Sequence, residues 1–506
     1  MEREGGFRLI RAKIGESTYV IGTELEAHFS SFKKHIIGDD FAYPTVYGTQ
    51  KLLYADWTAS GRLYRKIEDN LVDIIGPYVA NTHTESNITG TYITNAYHEA
   101  KNIIKKHVHA NEDDMLIFDG FGMTGVINKF QRLIGIKHMD KRTLTIKEKP
   151  IVFVTHMEHH SNYLSWLETS ADVVTIRPSA NGDVDYSHLE ELLEMHKQST
   201  RKIGAFTACS NVTGRKTDYH RLAKLMHQYG GICLVDFSAS APYEMINMHP
   251  DDKEAALDII CFSPHKFLGG PGTSGVLIMN KSLVHAKIPD HPGGGTIDFT
   301  NGWGDVLYKK NIEEREDGGT PGFLQAIRTA LAIQLKEEMN VRKMQEREQE
   351  LIALLMTELN KIPGITILDG ENKNRHGIIS VICEGLHYDL GAKLLNDRFG
   401  IQVRGGCSCA GPYGHYLLGV SEAQSKQIAA EVQKGIFTNK PGWIRISLHP
   451  TMTNQEVYSI IHAFKKIIMY KKEWQKDYRY MPRSNEYVCA LRSMDNHTDI
   501  FRASLK

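Results

Sequence analysis

The sequence predicts an α/β fold: a large domain on a mostly parallel sheet, then a smaller C-terminal α/β domain. Three observations predict it. Short apolar runs at residues 115–118, 151–154, 173–176, 203–207 and 232–235 read as buried strands. Helical patterns lie between them, at Val126, Ile127, Phe130, Leu133 and Ile134, and again at Leu189, Leu192 and Leu193. Strands alternating with helices imply parallel pairing. A long amphipathic helix then begins near Phe323, with Leu324, Ile327, Leu331, Leu335, Met339 and Val341 on its stripe and a second pattern at Leu351, Leu354, Leu355 and Leu359. It leads to further strands at 378–382 and 443–448. The expected division is an N-terminal arm (1–50, with a short helix near 25–35), a large domain (51–322), a small domain with its connecting helix (323–470) and a C-terminal extension (471–506).

Composition narrows the function classes. A chain of 506 residues is long enough for two or three domains and a large core. Lysine plus arginine and aspartate plus glutamate both number 60, and no basic block stands out, which argues against nucleic-acid binding. No apolar run has transmembrane length. The charged start, Met1-Glu2-Arg3-Glu4, lacks a signal core, and the end is not a peroxisomal address. Seven cysteines form a sparse, odd set, so reduced thiols and a cytoplasmic location are expected.

The stretch that organises the chain is Ser263-Pro264-His265-Lys266-Phe267-Leu268-Gly269-Gly270. Apolar runs precede it at 257–262 and follow it at 275–279, so Lys266 sits where one strand stops and the chain bends back. A lysine held there is poorly solvated, which lowers its pKa and frees the amine as a nucleophile. The same residues also fit a surface lysine in a turn. Upstream, Asp119-Gly120-Phe121-Gly122-Met123-Thr124-Gly125 joins a strand to a helix. That geometry aims backbone N–H groups and a helix dipole at an anion, with Gly122, Met123 and Thr124 at its centre. Many αβ turns contain glycine without binding anything. The run Thr155-His156-Met157-Glu158-His159-His160-Ser161-Asn162 has no i, i+4 histidine pair with a glutamate between and no cysteine cluster nearby, so no metal is expected. Asp236 ends an apolar strand, where a carboxylate is costly unless paired.

Ser-x-His-Lys in this setting resembles the Schiff-base lysine of class V aminotransferase-fold enzymes, which bind pyridoxal phosphate (PLP). Within that group the chain resembles cysteine desulfurases, selenocysteine lyases and the desulfurase-like domain of molybdenum cofactor sulfurases, over roughly residues 50–465. The resemblance implies a fold-type I PLP-dependent transferase with a seven-stranded sheet in its large domain. It places His159 over the cofactor ring, where an imidazole can also shuttle protons near neutral pH. Asn211, in Ser210-Asn211-Val212-Thr213-Gly214, would donate to the phenolic oxygen, and Asp236 would pair with the ring nitrogen. Ser238, Ser263 and His265 would join Gly122, Met123 and Thr124 around the cofactor. Tyr54-Ala55-Asp56-Trp57-Thr58-Ala59-Ser60-Gly61 resembles the first strand leading into the site. In the polar loop Asn81-Thr82-His83-Thr84-Glu85-Ser86, His83 would lie near the substrate, although such a loop is also an ordinary helix cap.

Further matches follow Lys266. Arg315-Glu316-Asp317-Gly318-Gly319-Thr320 resembles the segment whose threonine reaches a neighbouring subunit's phosphate, implying a homodimer through Thr320. Val403-Arg404-Gly405-Gly406-Cys407-Ser408-Cys409-Ala410 resembles the loop of the catalytic cysteine, here Cys409, with Cys407 in addition. Exposure near Arg404 would favour its thiolate. Arg445 resembles the arginine that grips the substrate carboxylate bidentately; an arginine on an edge strand is the plain alternative. One departure stands out: where desulfurases carry glutamine three positions after the aspartate, this chain has Ala239. The implied activity is removal of sulfur from cysteine, a small amino-acid substrate, giving alanine and an enzyme persulfide, with a sulfur-acceptor protein as a further partner. The alternative is a class V aminotransferase, epimerase or other β-lyase acting on another amino acid, which Ala239 favours.

Overall fold

A strand buried at every position must be covered on both faces. Strands of this kind build the centre of a seven-stranded sheet. Its members are β1 (Asp114–Asp119), β2 (Ile151–Thr155), β3 (Asp172–Ile176), β4 (Lys202–Thr207), β5 (Ile232–Asp236), β6 (Ile259–Phe262) and β7 (Gly275–Asn280), in the order β1-β7-β6-β5-β4-β2-β3. β2, β4 and β6 are buried throughout. From β6 to β3 every neighbouring pair is parallel, and β7 runs antiparallel to both β6 and β1. The mostly parallel sheet read from the sequence is therefore present, and the chain does bend back after Lys266. The computed structural model describes residues 3–4, 7–14, 17–82, 84–137, 145, 148–482 and 484–491.

Helix α1 (Met123–Leu133) follows β1 and buries Val126, Ile127, Phe130 and Leu133, the residues whose spacing marked it. Helix α2 (His160–Leu167) follows β2. The long amphipathic segment is two helices, α3 (Phe323–Glu338) and α4 (Val341–Leu359). Asn340 separates them in the left-handed region at φ 64°, a conformation asparagine tolerates. Its side chain accepts the Lys343 N–H and so caps α4.

A second sheet carries the other half of the site. It consists of β8 (Ile365–Ile367), β9 (Ile378–Cys383), β10 (Arg404–Gly406) and β11 (Trp443–Ser447), in the antiparallel order β8-β9-β11-β10. β11 is thus an inner strand, not an edge. Helix α5 (Tyr388–Phe399) connects β9 to this region, and α6 (Asn454–Trp474) follows β11. The stretch expected as the first strand of the site joins this sheet. Leu53–Tyr54 pairs in parallel with Ile401–Gln402, and Asp56 bridges to Ser447. The N-terminal arm contains a helix, Glu24–Lys33, close to the one expected. After α6 the chain forms a hairpin, β12 (Tyr478–Met481) and β13 (Glu486–Cys489), for which the sequence offered no role. All seven cysteines are free thiols. Among the described residues no helix is long and apolar enough to cross a membrane.

The two sheets are joined by buried charge. His376, just before β9, is fully buried with Nδ1 3.0 Å from Glu348 on α4 and Nε2 3.6 Å from Glu244, in the segment after β5. Burial alone would lower its pKa, but the two carboxylates outweigh it and push it up to about 9. A histidine pKa raised in the folded state stabilises the fold fully below the unfolded value and loses that contribution as pH rises through the folded value. The window therefore runs from pH 6.5 to about 9. Wild type is expected to exceed His376→Gln in unfolding free energy near pH 6.5, with the gap narrowing as pH rises to about 9; urea denaturation across that range measures it. A gap that stays constant with pH would show that the histidine is not held charged.

Candidate active site

The setting of Lys266 comes from β6 and the turn that ends it. Pro264–Lys266 form a single 3₁₀ turn after β6. The turn is pinned from outside by Gly61, whose N–H donates to the His265 carbonyl at 2.9 Å. A side chain at Gly61 would strike the Phe267 carbonyl, so the close approach needs glycine. Lys266 is half-buried. Loss of water, chiefly, brings its pKa down to about 8; Arg445 acts in the same direction and Asp236 opposes. Asp236 ends β5, the parallel neighbour of β6. Its carboxylate is buried and accepts the Ser238 N–H at 2.9 Å. Burial, the largest influence, raises its pKa. Among the described residues no cationic side chain lies within ion-pair distance of it.

The turn between β1 and α1 forms a polar cup beside this pair. The Met123 N–H donates to Ser263 Oγ at 2.9 Å, and Ser238 Oγ lies 3.3 Å from the same oxygen. His265 Nδ1–H donates to the Phe121 carbonyl at 3.1 Å. A Cβ at Gly122 would stand 3.0 Å from both Ser263 Oγ and His265 Cε1, so glycine lets these side chains close in. Thr124 Oγ1 is 2.6 Å from Ser161 Oγ at the start of α2. The cup thus opens at the N-terminus of α1, where partial positive charge collects.

The two histidines at the start of α2 have different tasks. His159 caps the helix, its Nδ1 accepting the Ser161 N–H at 3.1 Å. Burial, followed by the charges of Lys266, His160 and Arg445, takes its pKa down to about 3. The ring is therefore neutral near physiological pH. His160 turns the other way. Its backbone N–H donates to the Cys409 carbonyl and its Nε2 accepts the Gly411 N–H, each at 2.8 Å. Ser408 is held as firmly: Asn211 Nδ2–H donates to its carbonyl at 2.6 Å, and Trp443 Nε1–H to its Oγ at 3.2 Å. Ser408 and Cys409 both adopt the left-handed region, at φ 52° and 56°. Such strain in consecutive non-glycine residues persists only where surroundings enforce it. Cys409 is exposed while Cys407 is partly covered. Asn211 was expected to donate to a phenolic oxygen. One of its N–H groups is engaged by Ser408, and its Oδ1 is buried without a partner.

Arg445 reaches the site from β11. It is buried, with Nη2 donating to Asp56 at 2.9 Å, Nη1 to the Asn211 carbonyl at 3.1 Å, and Nε without a partner. Arg404, from β10, holds the other oxygen of Asp56 through Nε and Nη2 at 3.1 and 3.0 Å. Its side chain is 51% exposed and so remains accessible to a solute. One cavity of about 900 Å³ contains Lys266, Asp236, His159, Cys409, Arg404 and Arg445 among its lining residues. Thr320 is exposed, does not line that cavity, and donates to Asn81 Oδ1 at 3.1 Å. His83 lies outside the described residues.

Sequence reasoning missed Asp56, His160 and Ser161. Asp56 lay inside a quoted segment, but nothing local showed that it would tether two arginines from another sheet. Glu158 was quoted only as part of a motif. It is a buried carboxylate accepting from Thr155, Asn162 and Thr207, and burial raises its pKa to about 7. It locks β2, α2 and β4 together behind His159. Ala239 is buried with Cys209 and Ile378, so no polar side chain extends into the cavity from that position.

The donor set is specific. A buried carboxylate lacking a cation, a cup at a helix N-terminus and a lysine of low pKa suit a flat, phosphorylated aldehyde with a basic ring nitrogen. Comparison with known proteins agrees. A family model described as class V aminotransferase matches residues 53–460. A probable cysteine desulfurase of Halalkalibacterium halodurans is 30% identical over 371 residues, covering 72% of this chain and 86% of that protein. A probable cysteine desulfurase of Staphylococcus aureus is 28% identical, with 73% and 85% covered. Among solved structures, the apo cysteine desulfurase of Thermococcus onnurineus NA1 shares the fold at a TM-score of 0.69 and 22% identity, over 87% of this chain and 98% of that one. The cysteine desulfurase CsdA of Escherichia coli does so at 0.65 and 21%, over 82% and 94%. The chain belongs to the class V aminotransferase family.

Proposed function

We propose that this chain is a PLP-dependent cysteine desulfurase-like enzyme that removes sulfur from cysteine, leaving alanine and a persulfide on Cys409. The observation that carries the proposal is the exposed thiol of Cys409, on a clamped loop, sharing one cavity with Lys266, Asp236 and His159. The relatives' names support it. Gly122, Met123, Thr124, Ser238, Ser263 and His265 would hold the cofactor phosphate, His159 the ring face, Asp236 the ring nitrogen, Asn211 the phenolic oxygen and Lys266 the aldehyde. When bound, PLP supplies an electron sink for the carbanion formed at the cysteine Cα.

The chain's own groups do the rest. Arg445 and Arg404 orient the substrate carboxylate at a site that Asp56 keeps from excess positive charge. Lys266, once its amine is free, removes the Cα proton. The Cys409 thiolate attacks the substrate sulfur: the S–S bond forms as the Cβ–S bond breaks, and the electron pair stays with the carbon skeleton, which is protonated to alanine. The persulfide sulfur then passes to an acceptor. The enzyme is a homodimer in which Thr320 reaches the neighbouring subunit's site, and its reduced thiols suit the cytoplasm. The large domain comprises residues 51–322 and the small domain residues 323–470. A second reading, an aminotransferase, epimerase or other β-lyase, is favoured by Ala239; amine transfer from cysteine or another amino acid to a keto acid, without sulfide, would select it.

Two outcomes are expected. Cys409→Ala should lose alanine release from cysteine by on the order of a thousandfold while keeping the absorbance of bound PLP; undiminished release would remove the persulfide step. Loading of the apo-protein with PLP should follow the free amine of Lys266, rising with pH and levelling above about 8. Stopped-flow absorbance reads that profile, and a plateau reached only near the ordinary lysine value would contradict the low-pKa assignment.

A further inference from the structure

The turn that carries Cys409 is strained, and most of what holds it comes from the cofactor side of the cavity. Ser408 and Cys409 both lie in the left-handed region, at φ 52° and 56°, and the Ala410 N–H closes the turn onto the Cys407 carbonyl at 3.1 Å. Turns with two such central residues are ordinarily built from glycine, asparagine or aspartate, so serine and cysteine do not adopt this one unaided. The short helix that follows, Gly411–Leu417, has Ala410 at its N-cap and therefore no side-chain cap of its own. His160 fills that role from the start of α2. Its Nε2 accepts the Gly411 N–H while its backbone N–H donates to the Cys409 carbonyl, each at 2.8 Å. Burial, then the charge of Lys440, lowers the His160 pKa, which keeps Nε2 free to accept. From the turn after β4, Asn211 Nδ2–H donates to the Ser408 carbonyl at 2.6 Å, and Thr213 Oγ1 lies 3.1 Å from Tyr413 Oη on the short helix. The second sheet adds Trp443 Nε1–H, which donates to Ser408 Oγ at 3.2 Å.

Both clamps from the first sheet adjoin the place of the cofactor. His160 follows His159, the N-cap of α2, whose ring lines the cavity; His160 itself does not line it. Asn211 does line it, and its side-chain amide carries a second N–H besides the one given to Ser408, while its Oδ1 is buried without a partner. An amide held on one side can still rotate about its Cβ–Cγ bond; held on two sides it cannot. We infer that His160 and Asn211 are positioning residues that couple the Cys409 turn to the cofactor site, so that the chain loaded with PLP holds this turn more tightly than the apo-protein does. Such coupling is reciprocal: the factor by which loading tightens the turn is the factor by which the intact turn strengthens PLP binding. The inference rests on the part of the proposed function that seats PLP at Lys266, and not on the sulfur chemistry.

Hydrogen exchange read by mass spectrometry on the full chain, apo and PLP-loaded and without cysteine, tests it. Absorbance follows PLP uptake, and a peptide spanning residues 407–414 reports the turn. In wild type, loading should slow exchange of the Ala410 and Gly411 N–H groups by about tenfold. His160→Leu should lose that response and bind PLP about tenfold more weakly, although residue 160 does not line the cavity. His160→Gln, whose Oε1 can accept at the place of Nε2, should restore both. Asn211→Ala should lose the response as well. Wild type that takes up PLP with no change in this peptide would overturn the inference, and that comparison needs no variant. A response in His160→Leu equal to that of wild type, or a loss that His160→Gln does not recover, would overturn it too. A loading response of the expected size in a chain that forms no alanine from cysteine would support the coupling and count against the desulfurase reading alone.

Discussion

An acid and an amine are carried into one poorly hydrated cavity by the ends of two adjacent parallel strands, and neither is neutralised there by a conventional ion pair. Asp236 ends β5 and Lys266 follows β6, its neighbour. Burial pushes the two groups in opposite directions, the carboxyl upwards and the amine downwards. Each is thereby displaced toward its uncharged form, which in water would be unfavourable for both. The sheet makes this arrangement tolerable by surrounding it with rigid strands buried on both faces. Asp236 meets the Ser238 N–H but no cation, an arrangement suited to a ligand that brings a basic nitrogen.

The second sheet supplies what the first lacks. Its inner strand brings Arg445 against Asp56, and the neighbouring strand brings Arg404 to the same carboxylate. Two guanidinium groups gathered around one carboxylate would repel each other without it; Asp56 between them keeps both in place while one stays open to solvent. The cysteine loop hangs from the same strand as Arg404. It is fastened by contacts from both sheets, His160 and Asn211 from the first and Trp443 from the second. The position of the thiol relative to Lys266 therefore depends on the interface between the sheets, where His376 is buried between two glutamates.

Much of this was legible in the sequence, for local reasons. Period and burial follow directly from apolar runs, so the strands of the large sheet and helix α1 could be read off. Lys266, Asp236, His159 and Cys409 sit in short motifs that can be picked out without their distant partners. What escaped were contacts made across sequence distance. Asp56 acquires its meaning from residues 348 and 389 positions away. His160 differs from His159 only by the direction in which the helix start points it. The break at Asn340 was hidden because the apolar stripe continues across it. The hairpin after α6 has no motif, since its place is fixed by contacts with another helix, through Asn485 and Tyr487.

The central claim is that the Lys266 amine, and no other, is the attachment point for PLP in this cavity. Borohydride treatment of the PLP-loaded chain, followed by peptide mapping, addresses it directly. A pyridoxyl group fixed on the peptide containing Lys266 is the expected result. A label on a different lysine, or none on a chain that has demonstrably taken up the cofactor, would contradict the account.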